Sequence, residues 1–469
     1  MKEKDIQLNQ VKFAMPKASE AIAISALILF ICSSLRHILF QSTAFDLGYF
    51  DQATYLISQG ETPIVSFWGY HFMGGHADWI LYGIALLYKI YPSVYWLFAI
   101  QAIALALGAL PVFYLSRQAG LKESQSIAMA WVYLLYPLIF NLNLFDFHGE
   151  VIALPAMLGA ILAARNNRIG WFCLALILIF GCRDGLSLTV AAMGLWLLVF
   201  EKKYLSGGIA LFAGVAWFLI VTQVVIPHFR PNGVEAVARY AFLGDSLLEI
   251  IKNLILKPGL VLGKIFTLPN LEYLALLLAP VIWGLQLKHL NPLVGAIPTL
   301  LMNLITDYQV QKDLIHQYSL PAIPFLLIAV ISSLAGGKGW LQNRRGIILW
   351  CLVAFIALAK FGYFGSKYLQ SIDTWQETRE AISLIQTKGG ILVPAEVAPH
   401  LTHRSVVNLT TIGSESANLS QFNYILLNLR HPGWGSTPQV MDSLLARMAK
   451  EPDFQMIYHQ HDVYLFAKI

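Results

Sequence analysis

The sequence predicts a multi-span α-helical membrane protein ending in a small α/β domain, and three observations carry that prediction. Of 469 residues, 57% are hydrophobic and only 13% charged, at a mean hydropathy of +0.61, which is too apolar for a soluble domain. Apolar runs of near-spanning length recur from residue 18 to residue 363, after which they shorten to strand length. Cationic residues gather in one set of alternating loops and acidic residues in the other.

The first apolar run, 18–39, follows a basic leader (Lys2, Lys4, Lys12, Lys17) and exceeds a signal-peptide core, so it reads as an uncleaved span. Further spans are predicted at 92–116, 124–141, 150–164, 169–182, 186–200, 205–227, 270–287, 291–306, 318–335 and 346–363, about eleven crossings in all. Segments 79–91 and 246–268 are apolar but interrupted by Lys89, Lys252, Lys257 and Lys264, a pattern expected of amphipathic helices at the interface. If the leader is cytoplasmic, alternation puts Arg117, Lys122, Arg165, Arg168, Lys202, Lys203, Lys288, Lys338, Arg344 and Arg345 on the same side. The acidic loops then face outward, and the expectation is a multi-pass protein of the cell (inner) membrane with its N-terminus in the cytoplasm.

The predicted division is a transmembrane domain, 1–363, with an extracytoplasmic first loop at 41–91, and an extracytoplasmic α/β domain, 364–469. In the latter, GGILVPA, RSVVNL, FNYILLNL, FQMIY and DVYLFAK read as strands. Thr374–Gln386 and Thr437–Lys450 show helical spacing, and a hairpin turn falls near Gln460–Asp462. The net charge of +5 is segregated by side and argues no nucleic-acid partner. Cys32, Cys173, Cys182 and Cys351 sit inside apolar runs as packing residues.

Chemistry-bearing residues concentrate between Ser42 and Trp79, where Asp46, Asp51, Glu61, His71, His76 and Asp78 fall within one loop. Ionisable groups beside lipid are costly to keep, so such a cluster is the first place to look for a site. Asp46 is either the N-cap of an interfacial helix or the acid of a transferase, acting as general base or metal ligand. Asp51 is either on a solvated helix face or a second acid, and Asp78, Asp146 and Glu150 are further candidates for a second acid. In DFHGE, Asp146, His148 and Glu150 alternate, so an extended segment would aim all three one way, toward a divalent cation such as Mg or Mn. Asp46 and His76 are further ligand candidates, with Asp78 near them; the plain reading is a loop capping the next helix. Gly74 and Gly75 allow either a turn or close approach to a ligand. Outward cations, Arg183, Arg230, Arg239 and Lys312 with His316, fit a phosphate ligand, pairing with acids such as Asp184, or snorkelling.

RHILFQSTAFDLGYFDQ (36–52), GHADW (75–79), ALPVFYLSRQ (109–118), FDFHGE (145–150), CRDG (182–185), HQYSLPAIPFL (316–326), ILVPAEVAPHLTHR (391–404) and VYLFAK (463–468) together carry a resemblance. The chain resembles, over nearly its whole length, the bacterial and archaeal predicted membrane proteins catalogued as a domain of unknown function and grouped with the GT-C glycosyltransferases. That resemblance implies a GT-C-like multi-span body, an essential acid in the first outer loop and a polyprenyl-phosphate sugar as donor. Asp46 matches the first-loop acid by position and the DFHGE acids match a second acidic loop; Asp46 lacks the adjacent acid of the class's paired motif. The expected function is sugar transfer from a lipid-linked donor to an unknown acceptor at the outer face, with membrane lipids as surroundings. The alternative is a transporter or flippase for a lipid-linked precursor, which would favour internal repeats and midplane polar groups.

Overall fold

The computed structural model describes residues 2–231 and 233–469. The side chains of the basic leader, with which the orientation argument begins, lie outside the described residues. Helix α1 (Lys2–Ile38) ends just before Phe40, where the backbone turns left-handed (φ 55°). A π-turn, Ala44–Gly48, then runs into α2 (Tyr49–Gln59), which stops at Gly60 with φ 76°, the conformation glycine adopts at least cost. Asp46 caps neither element: the residue before α2 is Gly48, and Asp46 lies inside the π-turn. α2 is not interfacial either, because every residue from Tyr49 to Leu56 is buried.

Among the described residues six helical stretches are long and apolar enough to cross a membrane: Ser19–Ile38, Tyr95–Gln118, Glu123–Phe145, Tyr204–Phe229, Gln317–Ala335 and Arg344–Ser383. A seventh crossing results if Pro258–Ile265 and Leu268–Leu278, bent by 59°, act as one. The remaining apolar runs of the sequence form shorter helices, including Glu150–Arg165, Ile169–Phe180, Leu186–Val199 and Asn291–Ile305. At a rise of 1.5 Å per residue Leu186–Val199 reaches only about 21 Å, short of the roughly 30 Å hydrocarbon layer. It packs tightly on Tyr204–Ile220 through glycine: a Cβ on Gly194 would fall 2.4 Å from Leu211 N, and one on Gly207 2.9 Å from Gly194 O. The 246–268 segment forms two helices, Leu247–Leu256 and Pro258–Ile265, with Ile250 and Val261 buried and Leu248 and Ile255 exposed.

The two ends of the bundle differ in charge. At one, Arg165 pairs with Glu201 (2.8 Å), Lys203 binds Arg165 O and Asn167 Oδ1 (2.9 Å each), and Gln118 and Gln125 reach Asn166 and Gln342 O. These bonds draw together the loops that carry the basic residues. The loops with DFHGE, CRDG and Asp313 meet at the other end, with the first loop.

Five strands form the C-terminal sheet: β3 (Ile391–Val393), β4 (Val407–Leu409), β5 (Tyr424–Asn428), β6 (Phe454–Gln460) and β7 (Val463–Lys468), preceded in the first loop by the small hairpin β1 (Ile64–Val65) and β2 (Tyr70–His71). The order is β4-β3-β5-β7-β6, with β3 parallel to β4 and β5, and β7 antiparallel to β5 and β6. The side chains alternate as the pleat requires. Leu392, Ile425 and Leu427 face helix Pro438–Met448 (Val440, Met441, Leu444), whereas Ile391, Val393, Leu426 and Leu465 face Ala381 and the first-loop residues Phe40 and Ala44. The sheet therefore shares its core with the start of the first loop.

Candidate active site

Between the acidic end of the bundle and the C-terminal sheet lies a cavity of about 930 Å³. Its walls come from the first loop, the DFHGE and CRDG loops, segment 230–239, segment 308–318, helix Phe361–Leu369 and the loop after β5.

Asp46 reaches this space because the turn bearing it is tied on two sides. Ala44 N donates to Ala395 O (2.9 Å), anchoring it to the sheet, and Thr43 N donates to Asp146 Oδ2 (3.1 Å), anchoring it to DFHGE. Arg36 completes the tie: Nε donates to Gln41 O (2.9 Å), Nη1 to Leu144 O, and Nη2 lies 3.4 Å from Asp146 Oδ2. Asp146 itself has φ 155° and ψ −179°, a region normally left to glycine, sustained where surrounding contacts overdetermine it. Its carboxyl is pushed up to about 6 by burial and the Asp46 charge, against the pull of Arg36.

From that turn Asp46 Oδ1 meets His148 Nε2 at 3.2 Å, with the carboxylate 28% exposed and the imidazole 4%. His148 Nδ1 sits 3.3 Å from Asp146 O, which fixes the ring with Nε2 toward Asp46. Burial alone would raise the Asp46 carboxyl, but the hydrogen bond and charge of His148, with Arg36 and His316 nearby, hold it below its ordinary value. Burial opposes charge on His148, yet Asp46, with Glu150, holds that ring above its ordinary value.

Cations occupy the wall beside this pair. Arg183 donates to Glu150 Oε1, lies 3.0 Å from His76 Nε2 and packs over Tyr318 (5.7 Å). His76 Nδ1 in turn holds Asp184 Oδ1 at 3.1 Å. Arg239 stacks over Tyr308 (4.6 Å) and Tyr318 (5.4 Å) and donates to Gln311 Oε1 (3.3 Å), and among the described residues no carboxylate pairs with it. Arg230 spends its charge on Glu235 (2.8 Å). His316 binds Asp313 through Nδ1 (2.7 Å) and presents its other edge to the cavity near Phe145.

Of the residues singled out in the sequence, Asp46, His76, His148, Arg183, Arg230, Arg239 and His316 line the cavity; Asp51, Asp78, Asp146, Glu150 and Lys312 do not. Asp51 is neither solvated nor in the chamber: 1% exposed, it receives Tyr88 OH (2.5 Å) and Thr402 OH and pairs with His403 (3.2 Å), joining α2 to the C-terminal lobe. Asp78 is buried with one oxygen unpartnered, and burial, with Glu150 and Asp184 close by, pushes its carboxyl well above the ordinary range. Lys312 lies outside the cavity, beside Lys264 and Asp307. Gly74 and Gly75 serve close approach by protein: a Cβ on Gly75 would lie 2.6 Å from Tyr49 OH, and one on Gly74 3.0 Å from Arg230 Cβ.

The five residues read as metal ligands do not form one donor set. Asp46 and His148 bind each other, His76 binds Asp184, Glu150 is taken by Arg183 and Asp146 by Arg36 and Thr43 N. Among the described residues no group of three or more His, Cys, Asp or Glu side chains is arranged to hold a metal ion. Sequence reasoning missed Tyr308, Tyr318, Lys367, Glu396 and Trp434, all on the cavity wall. They lie in segments read only as span ends or lobe, and an aromatic or lysine there carries no spacing signal.

The chain belongs to the predicted membrane protein family DUF2079, whose model matches residues 36–465. No curated protein matches it. Among solved structures it is similar to ArnT from Cupriavidus metallidurans bound to undecaprenyl phosphate, at 12% identity, TM-score 0.47, over 96% of this chain and 97% of that one. The apo state of the same protein gives 12% identity and TM-score 0.45, over 97% and 98%.

Proposed function

We propose that this family member transfers a sugar from a polyprenyl-phosphate-linked donor to an acceptor hydroxyl at the extracytoplasmic face of the cell membrane. The observation that carries the reading is the division of labour among the acids. Asp46 faces the chamber 28% exposed, held by His148 and, at 3.5 Å, by the Thr43 hydroxyl, whereas Asp51, Asp146, Glu150 and Asp184 are buried on internal partners. The chamber lies at the end opposite the basic loops, and the positive-inside bias puts that end outside the cytoplasm.

In the reaction the acceptor oxygen attacks the anomeric carbon as the bond from that carbon to the donor phosphate breaks. Asp46 takes the hydroxyl proton, and His148 on one carboxylate oxygen with the Thr43 hydroxyl on the other hold the group in place. The departing phosphate is already anionic, so it needs cations more than an acid: Arg183, Arg239 and the open edge of His316 supply them. Arg230 serves only if it leaves Glu235. No step is assigned to a divalent cation, since Asp46 and His148 are engaged with each other and Glu150, Asp146 and His76 with Arg183, Arg36 and Asp184.

The test is Asp46→Asn, assayed in membranes for transfer of radiolabelled sugar from polyprenyl-phosphate donors. Loss of a positioned base should lower the rate about 10²- to 10⁴-fold with the protein still folded. Undiminished product formation would refute the assignment.

A further inference from the structure

We propose that the aromatic row beside Asp46, formed by Trp434, Trp68 and Phe45, is a platform for a neutral sugar ring. The inference rests on the transferase reading for its role, as the acceptor subsite, but not for the binding itself.

Trp434 stands in the loop HPGWG between β5 and helix Pro438–Met448, and the loop is built to present it. Gly433 (φ 88°) and Gly435 (φ 79°) flank it in conformations that other residues adopt only with strain. A Cβ on Gly433 would also fall 2.4 Å from Glu396 Oε2. Both Glu396 oxygens accept the Trp434 backbone N–H (2.9 and 3.1 Å), and Ile412 N donates to Gly435 O (2.9 Å). The backbone is thus fixed, yet the residue is 64% exposed on the cavity wall. Its ring meets Phe45 edge-to-face at 4.5 Å, and Phe45 meets Trp68 the same way at 5.6 Å. Phe45 is the residue before Asp46, so the aromatic row begins beside the carboxylate.

Among the described residues neither indole N–H has a hydrogen-bond partner. An aromatic face with a free donor at its edge matches the C–H face and hydroxyl rim of a pyranose. Of the charges nearby, Glu396 is turned onto the backbone, Arg430 is bound by Asp373 (2.9 Å) and Asp462 (2.6 Å), and Arg230 lies over Tyr70 (4.8 Å), next to Trp68. The carboxylate therefore stands beside both the cations that suit the donor phosphate and the aromatic row that suits the ring receiving the sugar.

The test is saturation-transfer difference NMR with the full-length protein in detergent and methyl β-glucoside, methyl β-galactoside and methyl β-N-acetylglucosaminide as probes. Wild type should bind at least one probe. Trp434→Ala should weaken binding about ten-fold, as loss of one stacking ring implies, and Trp434→Phe should restore part of it. Absence of probe binding, or equal binding by Trp434→Ala, would overturn the platform while leaving the Asp46 result untouched. Probe binding that depends on Trp434, in a protein that forms no product from any donor, would uphold the platform and sink the transferase reading. Quenching of the Trp434 fluorescence, isolated by difference from Trp434→Phe, by brominated acyl chains in nanodiscs would place the indole in lipid and overturn the proposal.

Discussion

The tie between Arg36 and Asp146 makes a prediction whose size and pH dependence both follow from the structure. The side chains are 10% and 1% exposed, so removing one member strands the other in a dry environment. Breaking a buried ion pair costs about 3–5 kcal/mol. In Asp146→Ala, Arg36 keeps Gln41 O and Leu144 O as acceptors, which places the loss near the lower end, about 3 kcal/mol, at any pH. Arg36→Met behaves differently, because the stranded group can take up a proton. Asp146 already sits at about 6 with Arg36 lowering it, so without Arg36 it rises further. A carboxyl whose folded pKa exceeds its unfolded value of about 3.9 leaves the protein most stable in acid, and stability falls as pH rises through the folded value. Arg36→Met should therefore lose less at pH 5 than at pH 8. At pH 8 the double variant should be less destabilised than the sum of the singles by about 2 kcal/mol or more. Urea unfolding in detergent, followed by tryptophan fluorescence at the two pH values, measures all of this. Additive losses, or an Arg36→Met variant indifferent to pH, would refute the reasoning.

Two further outcomes follow from the same contacts. Asp46, held below its ordinary pKa, contributes stability above its unfolded value and loses it as pH falls through the folded one; His148, held above, contributes below its unfolded value and loses it as pH rises. The stability gap between wild type and His148→Gln should thus be widest between about pH 4 and 6.5 and narrow above, and a gap that widens from pH 7 to pH 9 contradicts the pairing. Asp51→Ala removes the acceptor shared by Tyr88, Thr402 and His403. Loss of one charged hydrogen bond, worth about 1.5–3 kcal/mol, should speed protease cleavage near residues 400–406 about ten-fold or more, and an unchanged cleavage rate would deny the latch.

Local pattern carried the C-terminal lobe: every run read as a strand is one, and Trp375–Ser383 and Pro438–Met448 fall inside the predicted helices. Strand alternation and the Thr437-Pro438 start are near-neighbour signals, so one sequence suffices. Partnership between distant loops is a different kind of information. Asp146 and Asp51 look like Asp46 in sequence, each a carboxylate beside an aromatic in a loop at the acidic end. What separates them is Arg36, 110 residues from Asp146, and Thr402, 351 residues from Asp51. Hydropathy likewise located the apolar segments but not where helices stop, because those ends are set by buried side chains rather than by turn residues.

Those side chains also bear on whether the molecule is a chamber or a conduit. Asn270 Nδ2 donates to Lys264 O, Ile265 O and Leu304 O, and Asn141 donates to Leu314 O and Leu358 O while accepting Lys360 N. Asn143 does the same for Leu29 O. Each satisfies carbonyls, most of them freed where helices end, so helices can end inside the protein without leaving backbone groups unpaired in an apolar surround. The bundle is thereby opened at its acidic end. Toward the basic end no comparable polar column continues: Trp196 and Phe325 are fully buried against each other, with Arg165 stacked over Trp196. A carrier for lipid-linked precursors needs ionisable or polar groups that can be offered to both faces in turn. Here the acids and histidines of the cavity lie on one side of an apolar plug and the paired Arg165 and Glu201 on the other, an arrangement suited to reaction at one surface.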